Sequence, residues 1–194
     1  MIQPLLGTVN RTAQFMLEAV NNPRDIGAVV PSSPNLAMAM ARWLPWEPEA
    51  KVLELGAGTG AVTKMLLKQG LAAERLLAVE KSPKLAAMLR KQFPLVRVAE
   101  GDAFDLVRLV AEHDPDPDPF AVVISSLPLL NFPQREGMAL AAQIRDVLRP
   151  GGLLVQYSYN LVKGREERLY CFRRVASEIV LVNVPPAKVT VYRR

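Results

Sequence analysis

The feature that most restricts the fold of this 194-residue chain is a regular alternation of short apolar segments with amphipathic segments. The predicted strands cover residues 51–55, 75–79, 96–99, 120–125 and 153–159. The predicted helices between them cover residues 59–68, 83–92, 103–112 and 133–148. Strands that alternate with helices are joined by right-handed crossovers and lie parallel in one sheet. The pattern therefore predicts an α/β fold with a mostly parallel, doubly wound sheet, which binds ligands at the carboxyl ends of its strands.

The two ends of the chain add to this pattern. Residues 11–22 are predicted as an amphipathic helix, and Ser33-Pro34 is typical of the start of a second helix. Near the other end, strands over 178–184 and 188–192 are predicted as an antiparallel pair at the sheet edge, which brings the sheet to seven strands. The basic segment 163–174 is interpreted as helical, and the DPDPDP run at 114–119 as a solvated loop.

Composition excludes several classes of protein. Hydrophobic residues make up 50% of the chain and charged residues 22%, which is typical of a folded protein. No apolar run approaches the ~20 residues that span a bilayer, and the first residues do not resemble a secretory signal. One cysteine and one histidine exclude a disulfide framework and a Cys- or His-rich metal site. We therefore expect a cytoplasmic protein without a metal.

Charge is unevenly distributed along the chain. Residues 1–144 carry 14 Lys/Arg against 15 Asp/Glu, a net charge of −1, whereas residues 145–194 carry 10 against 4, a net charge of +6. This asymmetry indicates an anionic partner, either nucleic acid or anionic lipid, and the alternative is a solubilising surface.

The segment at 52–60, VLELGAGTG, joins the first predicted strand to the first crossover helix. Three kinds of ligand site have a glycine loop at this place, and the residues around the loop distinguish them. A nucleotide P-loop is excluded because Gly60 is followed by Ala61-Val62 rather than Lys-Ser/Thr. A dinucleotide fingerprint is formally matched, with the acidic Glu80 at the usual spacing. A third kind of site is indicated by Glu54, because a carboxylate in a strand that should be buried needs a ligand or a partner.

The E-x-G-x-G-x-G pattern resembles motif I of the class I S-adenosylmethionine (SAM) methyltransferases. The resemblance implies a Rossmann-like fold whose last strand is antiparallel, with SAM as the cofactor and S-adenosylhomocysteine as the product. It assigns Glu80 to the ribose hydroxyls, Asp102 to the adenine amine and Glu54 to the methionine end. The other residues placed at the cofactor are Gly56, Gly58, Thr59, Gly60, Lys81, Ala103 and Ser125. Ser32 and Ser33 are candidates for the cofactor carboxylate through their hydroxyls and the N–H groups of the helix start, which is compatible with an ordinary N-cap.

The loop after the fourth predicted strand reads SSLPLLNFP, and the resemblance to SAM methyltransferases implies that this loop contacts the methyl acceptor. In adenine and ribosomal RNA dimethyltransferases an Asn/Asp-x-Pro motif stands here, followed by an aromatic ring that stacks on the flipped base. In this chain Ser replaces the amide and Leu129 follows Pro128. The segment therefore disfavours a nucleobase acceptor, although rRNA or nucleobase adenine N-methylation stays open as the alternative.

The wider pattern resembles the soluble bacterial phospholipid N-methyltransferases. The segments that carry this resemblance are IGAVVPSSPNLA, ELGAGTG, SSLPLLNFP, LRPGGLLVQYSY and VNVPPAKVTVYRR. It implies methylation of the amine of phosphatidylethanolamine and its methylated forms, towards phosphatidylcholine. The partners are then a phospholipid and an anionic membrane surface, with no nucleic acid. We expect residues 1–47 to form helices that contact the membrane and cover the active site and residues 48–194 to form the methyltransferase domain, both within one structural unit.

The candidate catalytic residues are Leu127, Tyr157 and Tyr159. An ammonium must lose its proton before it accepts a methyl group, and a water or a carbonyl near Leu127 is the candidate proton acceptor. Tyr157 and Tyr159 alternate along the fifth predicted strand, so both rings face one way and are candidates for cation–π contact with a methylated ammonium. Ordinary packing is an equally good interpretation of the two tyrosines.

A lipid headgroup is reached at a membrane surface, so we expect a peripheral protein on the inner face of the cell membrane. The candidate apolar contacts are Phe15 and Met16 on the predicted helix 11–22. The candidate contacts with anionic lipid are Arg165, Arg168, Arg173 and Arg174.

Overall fold

The computed structural model describes residues 33–129, 132–159, 169, 171–183 and 185–194. The predicted helix 11–22, with Phe15 and Met16, lies outside the described residues. So do Ser32, Arg165 and Arg168, and the division between residues 47 and 48 stays a prediction.

Within the described residues the chain forms one sheet of seven strands in the order β3-β2-β1-β4-β5-β7-β6. The strands are β1 (Val52–Leu55), β2 (Leu76–Glu80), β3 (Arg97–Glu100), β4 (Phe120–Ser125), β5 (Leu148–Ser158), β6 (Arg173–Val180) and β7 (Ala187–Arg193). Strands β1 to β5 are parallel, and β7 is antiparallel to both of its neighbours. The predicted fold class is confirmed.

Helices cover both faces of this sheet. They are α1 (Pro34–Ala41), α2 (Ala61–Lys68), α3 (Pro83–Gln92), α4 (Leu106–His113) and α5 (Gln134–Val147). Helices α1, α2 and α3 pack on one face, and α4 and α5 pack on the other. Side chains of a strand alternate between its two faces, so Val52 and Leu53 of β1 belong to different cores.

The structure corrects two predicted boundaries. Strand β5 begins at Leu148, directly after α5, and includes the Pro150-Gly151-Gly152 segment that we expected to precede it. Strand β6 begins at Arg173, so Arg173 and Arg174 lie in an edge strand rather than in a helix. The edge position explains the second error, because a strand that is exposed on one side keeps polar residues and lacks an apolar run.

The DPDPDP segment is not a simple solvated loop. The Asp114 side chain is fully buried and lies 2.6 Å from the Nζ of Lys51, which is itself buried. Lys51 also donates to the main-chain oxygens of Asp116 and Asp118, each at 2.6 Å, and lies over the Phe120 ring. This buried cluster ties the amino ends of β1 and β4 together, at the edge of the sheet opposite to the glycine loop.

None of the helices in the described part of the chain combines the length and apolar character that crossing a bilayer requires.

Candidate cofactor and acceptor site

The glycine loop turns sharply between β1 and α2. Gly56, Gly58 and Gly60 have φ angles of 71°, 56° and 80°, a region that favours glycine. A Cβ at Gly60 would lie 2.6 Å from the Phe93 ring, and one at Gly56 would lie 2.8 Å from the Leu127 side chain. The three glycines are therefore required by backbone shape, and the loop stands at the start of a helix whose first N–H groups are available to a ligand. Thr59 completes the turn.

Glu80 ends β2 directly beside this loop. Its Oε2 accepts from the Gly58 N–H at 2.8 Å and its Oε1 from the Ser82 N–H at 2.8 Å. Each oxygen of a carboxylate has two acceptor positions, so both oxygens can still accept a hydroxyl. The loop thus holds Glu80 in a fixed orientation that suits the two hydroxyls of a ribose.

Asp102 follows β3, the neighbour of β2 in the sheet. Its Oδ1 caps the following turn by accepting from the Phe104 N–H at 3.1 Å, and its Oδ2 lies 2.6 Å from the Nζ of Lys81. Ala103 is buried at the start of that turn. The structure therefore brings together the residues that the sequence predicted at the carboxyl ends of β1, β2 and β3.

Glu54 is completely buried in β1. Its Oε2 accepts from the Thr63 hydroxyl of α2 at 2.7 Å, whereas its Oε1 has no hydrogen-bond partner among the described residues. Burial raises the pKa of Glu54 from 4.5 to about 7, and the charge of Glu80 adds to this, although the Thr63 hydroxyl and N–H act in the opposite direction. An unpaired buried oxygen at the glycine loop is the feature that a cationic ligand group would satisfy.

We expect the raised pKa of Glu54 to make stability depend on pH. Below pH 4.5 the Glu54 carboxyl is protonated in both the folded and the unfolded state, so its ionisation does not lower the stability. Between pH 4.5 and about 7 only the unfolded state ionises, so stability falls as pH rises, by ~3 kcal/mol once the pH exceeds the folded pKa. The free energy of unfolding of Glu54→Gln, which cannot ionise, should therefore rise relative to that of the wild type as the pH rises. Urea unfolding of the ligand-free proteins at pH 5 and pH 8 measures this, and a pH-independent difference would show that Glu54 has an ordinary pKa.

The end of β4 contacts both the glycine loop and β5. Ser125 is fully buried, and its Oγ accepts from the Leu127 N–H at 3.3 Å. The Leu127 carbonyl accepts from the Leu129 N–H at 2.8 Å and from the Gln156 side-chain amide at 2.7 Å. Because a carbonyl oxygen has two lone pairs, the protein itself engages both in this arrangement. The role of Leu127 as a proton acceptor stays a prediction.

Gln156 is a residue that sequence reasoning missed. It is buried in β5, and its Oε1 has no hydrogen-bond partner in the described part of the chain. The signal was present in the sequence, because Gln156 is an uncharged polar residue inside the apolar strand GGLLVQY, just as Glu54 is a charged one. Its contact with Leu127 joins β5 to the acceptor loop.

Tyr157 and Tyr159 lie on the same side of the sheet, with ring centroids 5.4 Å apart and planes at 77°. Both pack against the core on the α1 face. Burial raises the pKa of Tyr159, and hydrogen bonds with Asn183 and Tyr157 partly oppose that rise. The rings therefore meet edge to face, and contact with a methylated ammonium stays a prediction.

The remaining predicted residues divide into two places. Ser33 caps α1, with its Oγ accepting from the Leu36 N–H at 3.2 Å, and its role at the cofactor stays a prediction. Arg173 and Arg174 are exposed at the amino end of β6. Because β6 and β5 are both antiparallel to β7, β6 runs parallel to β5. Its amino end therefore lies with the amino ends of β1 to β5, opposite to the glycine loop. In the described residues no group of three or more His, Cys, Asp or Glu side chains is placed to hold a metal.

This strand order, with β7 reversed and a glycine loop after β1, defines the class I SAM-dependent methyltransferases. The chain belongs to this family: residues 52–152, just over half of it, match the methyltransferase domain. It is 33% identical over 169 residues to the ornithine lipid N-methyltransferase of Singulisphaera acidiphila, covering 84% of this chain and 85% of that protein. The predicted family and the predicted lipid N-methyltransferase relative are confirmed.

Two further similarities are more limited. The ribosomal RNA small subunit methyltransferase A of Chlorobium limicola is 37% identical over 68 residues, which cover 35% of this chain and 25% of that protein. A structure of the Burkholderia thailandensis 1,6-didemethyltoxoflavin-N1-methyltransferase with bound S-adenosylhomocysteine has a TM-score of 0.64 at 19% identity, covering 100% of this chain and 92% of that one. The first similarity is partial, and the second concerns the fold.

SAM is the cofactor of this class, and the residues present fit it. Glu80 has two oriented acceptors that would suit a ribose, and Glu54 has one buried oxygen without a described partner that would suit a cationic group. The assignment of Glu80, Asp102 and Glu54 to particular parts of SAM stays a prediction. The prediction of SAM as the cofactor is confirmed.

Proposed function

We propose that this protein transfers methyl groups from SAM to the amine of phosphatidylethanolamine and its methylated forms, towards phosphatidylcholine. One observation carries the proposal: the relative that resembles it over more than four fifths of both chains is a lipid amine N-methyltransferase. That relative acts on an ornithine lipid, whose modified group is also an amine on a lipid. The partial similarity to an rRNA methyltransferase is confined to about a third of the chain.

The acceptor loop supports a lipid rather than a nucleobase. Leu129 stands where a stacking ring would follow the proline, and its side chain is buried in the core. Phe132, the next aromatic residue, packs edge to face on Phe104 with a centroid distance of 5.2 Å. Each of these side chains is therefore occupied by the protein's own packing, which leaves no described ring from this loop for a flipped base.

The chemistry needs an amine with a free lone pair close to the methyl donor. When bound, SAM supplies an electrophilic methyl group on its sulfonium and leaves as S-adenosylhomocysteine. The glycine loop and Glu80 fix the donor, while Leu127, held by Gln156, closes the acceptor side against Gly56. Alignment of two reactants can contribute ~7–11 kcal/mol to catalysis, and we propose that positioning supplies most of the acceleration. The lipid ammonium, with a pKa near ~10 by analogy with lysine, must lose its proton before or during transfer.

Tyr157 and Tyr159 are the candidate contacts for the methylated nitrogen. Replacing either ring by Leu should lower kcat/KM several-fold, because one cation–π contact is worth ~0.5–2 kcal/mol, and should leave the SAM affinity unchanged. The loss should be largest for substrates that already carry methyl groups. Tyr157→Phe keeps the ring and serves as the matched control, with near-normal turnover. Equal losses of SAM binding and turnover in the Leu variants would instead mark both tyrosines as core residues.

We further propose that the protein works as a peripheral protein at an anionic membrane surface on the inner face of the cell membrane. The candidates for this contact from the sequence are Arg173 and Arg174, which lie at the amino end of β6, together with Phe15, Met16, Arg165 and Arg168. Each cation near the surface contributes ~1 kcal/mol of attraction, which falls as salt rises. The proposal thus combines a lipid substrate with a reversible, salt-sensitive docking step.

Direct product analysis tests the proposed substrate. The purified protein is incubated with SAM and, separately, with vesicles that contain phosphatidylethanolamine or ornithine lipid, and the lipids are resolved by mass spectrometry. We expect mono-, di- and trimethylated phosphatidylethanolamine. Methylation of ornithine lipid with none of phosphatidylethanolamine would replace the proposed substrate while keeping lipid amine methylation.

A further inference from the structure

The β6–β7 hairpin carries an exposed surface that the cofactor site does not use. Its apolar members are concentrated at the tip, where Leu181 and Val182 are 73% and 70% exposed, and Ile179 and Val175 continue them down β6. A shallow groove of about 540 Å³ follows the same strand and is bordered by Arg174 and Lys188. We call Arg174, Val175, Ile179, Leu181, Val182 and Lys188 the hairpin surface.

The tip of this hairpin lies beyond the carboxyl ends of the parallel strands, on the same side of the sheet as the glycine loop. Strand β6 runs in the same direction as β1 to β5, because β5 and β6 are both antiparallel to β7. In the register, Ile179 is opposite Lys188, and Lys188 is opposite Ser158, the last residue of β5. Leu181 and Val182 therefore extend past the strand ends at the edge where Tyr159 follows β5.

A buried asparagine couples the tip to the acceptor tyrosines. Asn183 donates from its Nδ2 to the Pro185 carbonyl at 2.6 Å, and its side chain also hydrogen bonds with Tyr159. Asn183 is 2% exposed, whereas the two preceding residues face solvent. Among the described residues of the turn, Asn183 thus points inwards and Leu181 and Val182 point outwards, the reverse of an ordinary surface turn.

The net charge of the hairpin is positive. Residues 173–194 carry five Lys/Arg and one Glu, a net charge of +4. Arg173, Arg174 and Arg193 lie at the amino end of β6, whereas Lys188 is opposite Ile179 next to the tip. The one acid, Glu178, forms an ion pair with Arg42 of the α1 end. A surface that combines cations with protruding apolar side chains is complementary to an anionic bilayer, where the cations meet headgroups and the apolar groups enter the interface.

The same surface is poorly suited to pairing with another strand. The register of β6 shifts between Arg174 and Ala176, which interrupts the ladder of main-chain groups at Val175. Arg173 and Arg174 also place adjacent charges on this edge. Bulges and edge charges are the devices by which proteins block edge-to-edge association. These features favour an anionic bilayer as the partner over a strand from another protein chain.

We propose that the hairpin surface docks on a bilayer that contains anionic lipid, with Leu181 and Val182 inserted between the headgroups. This inference rests on the proposed lipid substrate. It assigns to the tip the task of bringing the membrane to the edge of the sheet where Tyr157 and Tyr159 stand.

Vesicle binding tests this proposal with a matched control. The full chain is sedimented with vesicles of phosphatidylcholine and phosphatidylglycerol, and the partition coefficient is measured for the wild type, Leu181→Asp/Val182→Asp and Trp46→Asp. Trp46 is fully exposed, but its neighbour Glu47 pairs with Arg149 near the start of β5, so Trp46 lies at the opposite edge of the sheet. We expect the double variant to bind about tenfold more weakly or worse, and Trp46→Asp to bind like the wild type. Leu181→Ser/Val182→Ser is the milder version, and unchanged SAM affinity shows that each variant is folded.

Equal vesicle binding by all of these proteins, or no binding by the wild type, overturns the proposal. It is also overturned if the double variant changes only the oligomeric state in light scattering, because the surface then belongs to a contact between two copies. Turnover of detergent-dispersed amine lipid separates this proposal from the proposed function. If dispersed lipid is methylated while vesicle binding ignores the tip, only the docking proposal fails. If no amine lipid is methylated but the tip variant still loses vesicle binding, docking stands and the proposed substrate fails.

Discussion

Replacing Glu80 by Ala is expected to weaken SAM binding by about 100-fold or more. Hydrogen bonds to a charged group contribute ~1.5–3 kcal/mol each, and the carboxylate is placed to accept two ribose hydroxyls. The substitution also removes the acceptor of the Gly58 and Ser82 N–H groups, so the glycine loop loses the contact that holds it against β2. Isothermal calorimetry of SAM binding measures the effect directly.

Glu100→Ala is the matched control for this prediction. Glu100 pairs with Glu80 in the β2–β3 register, but it is exposed and forms an ion pair with Arg90 at 3.2 Å. Its removal should leave SAM affinity unchanged. Gly58→Val tests the same site through the backbone, since valine disfavours a φ of 56°, and should also abolish tight binding. Wild-type affinity in Glu80→Ala and Gly58→Val together would contradict the placement of the cofactor.

Replacing Lys51 by Met is expected to destabilise the protein by about 3–5 kcal/mol. The variant leaves the buried Asp114 carboxylate without its lysine, although Arg97 remains at 2.7 Å, and it removes the donor of two main-chain oxygens. Breaking a buried ion pair on one side costs ~3–5 kcal/mol when the remaining charge is left alone, and the Arg97 contact places the expected loss at the lower end of that range. For a chain of this size the melting temperature should fall by about 10 °C, measured by thermal unfolding.

The control for Lys51→Met is Arg108→Met, which breaks an exposed pair between Arg108 and Glu112 on α4. Exposed pairs contribute little, so the melting temperature should hardly change. The buried cluster lies at the edge opposite to the glycine loop, so SAM affinity of folded Lys51→Met should match that of the wild type. Equal melting temperatures for Lys51→Met and the wild type would show that the cluster does not stabilise the fold.

Much of the fold follows from local sequence because parallel strands are apolar runs bounded by glycine, proline and charge. Strands β1 to β4 obey this rule, and their predicted positions are confirmed to within a residue or two. Edge strands do not obey it: β6 alternates exposed polar and apolar residues, and its first two residues fall in the segment 163–174, which is interpreted as helical from the sequence. Strand β5 starts early because Leu148 already pairs with Phe120, and regular pairing resumes at Leu153 after an irregularity at the Pro-Gly-Gly segment.

The important polar residues divide in the same way, into those that the local sequence reveals and those that only the fold brings together. Glu54 could be singled out because it is an acid inside a buried apolar strand, and Glu80 and Asp102 because the resemblance to the class I methyltransferases assigns them. Gln156 follows the same rule, but a neutral side chain is a weaker signal than a charge. The Lys51–Asp114 pair could not be predicted, because the two residues are far apart in the sequence and Asp114 opens a run of acids that looks solvated.

Transfer of labelled methyl groups in a single mixture tests the central claim most directly. The wild-type protein receives labelled SAM together with phosphatidylethanolamine vesicles and ribosomal RNA, and the label is counted in the extracted lipid and in the RNA. The account predicts label in the lipid amine, little in the RNA, and loss of the lipid signal in Glu80→Ala but not in Glu100→Ala. Label in the RNA and none in the lipid would contradict it.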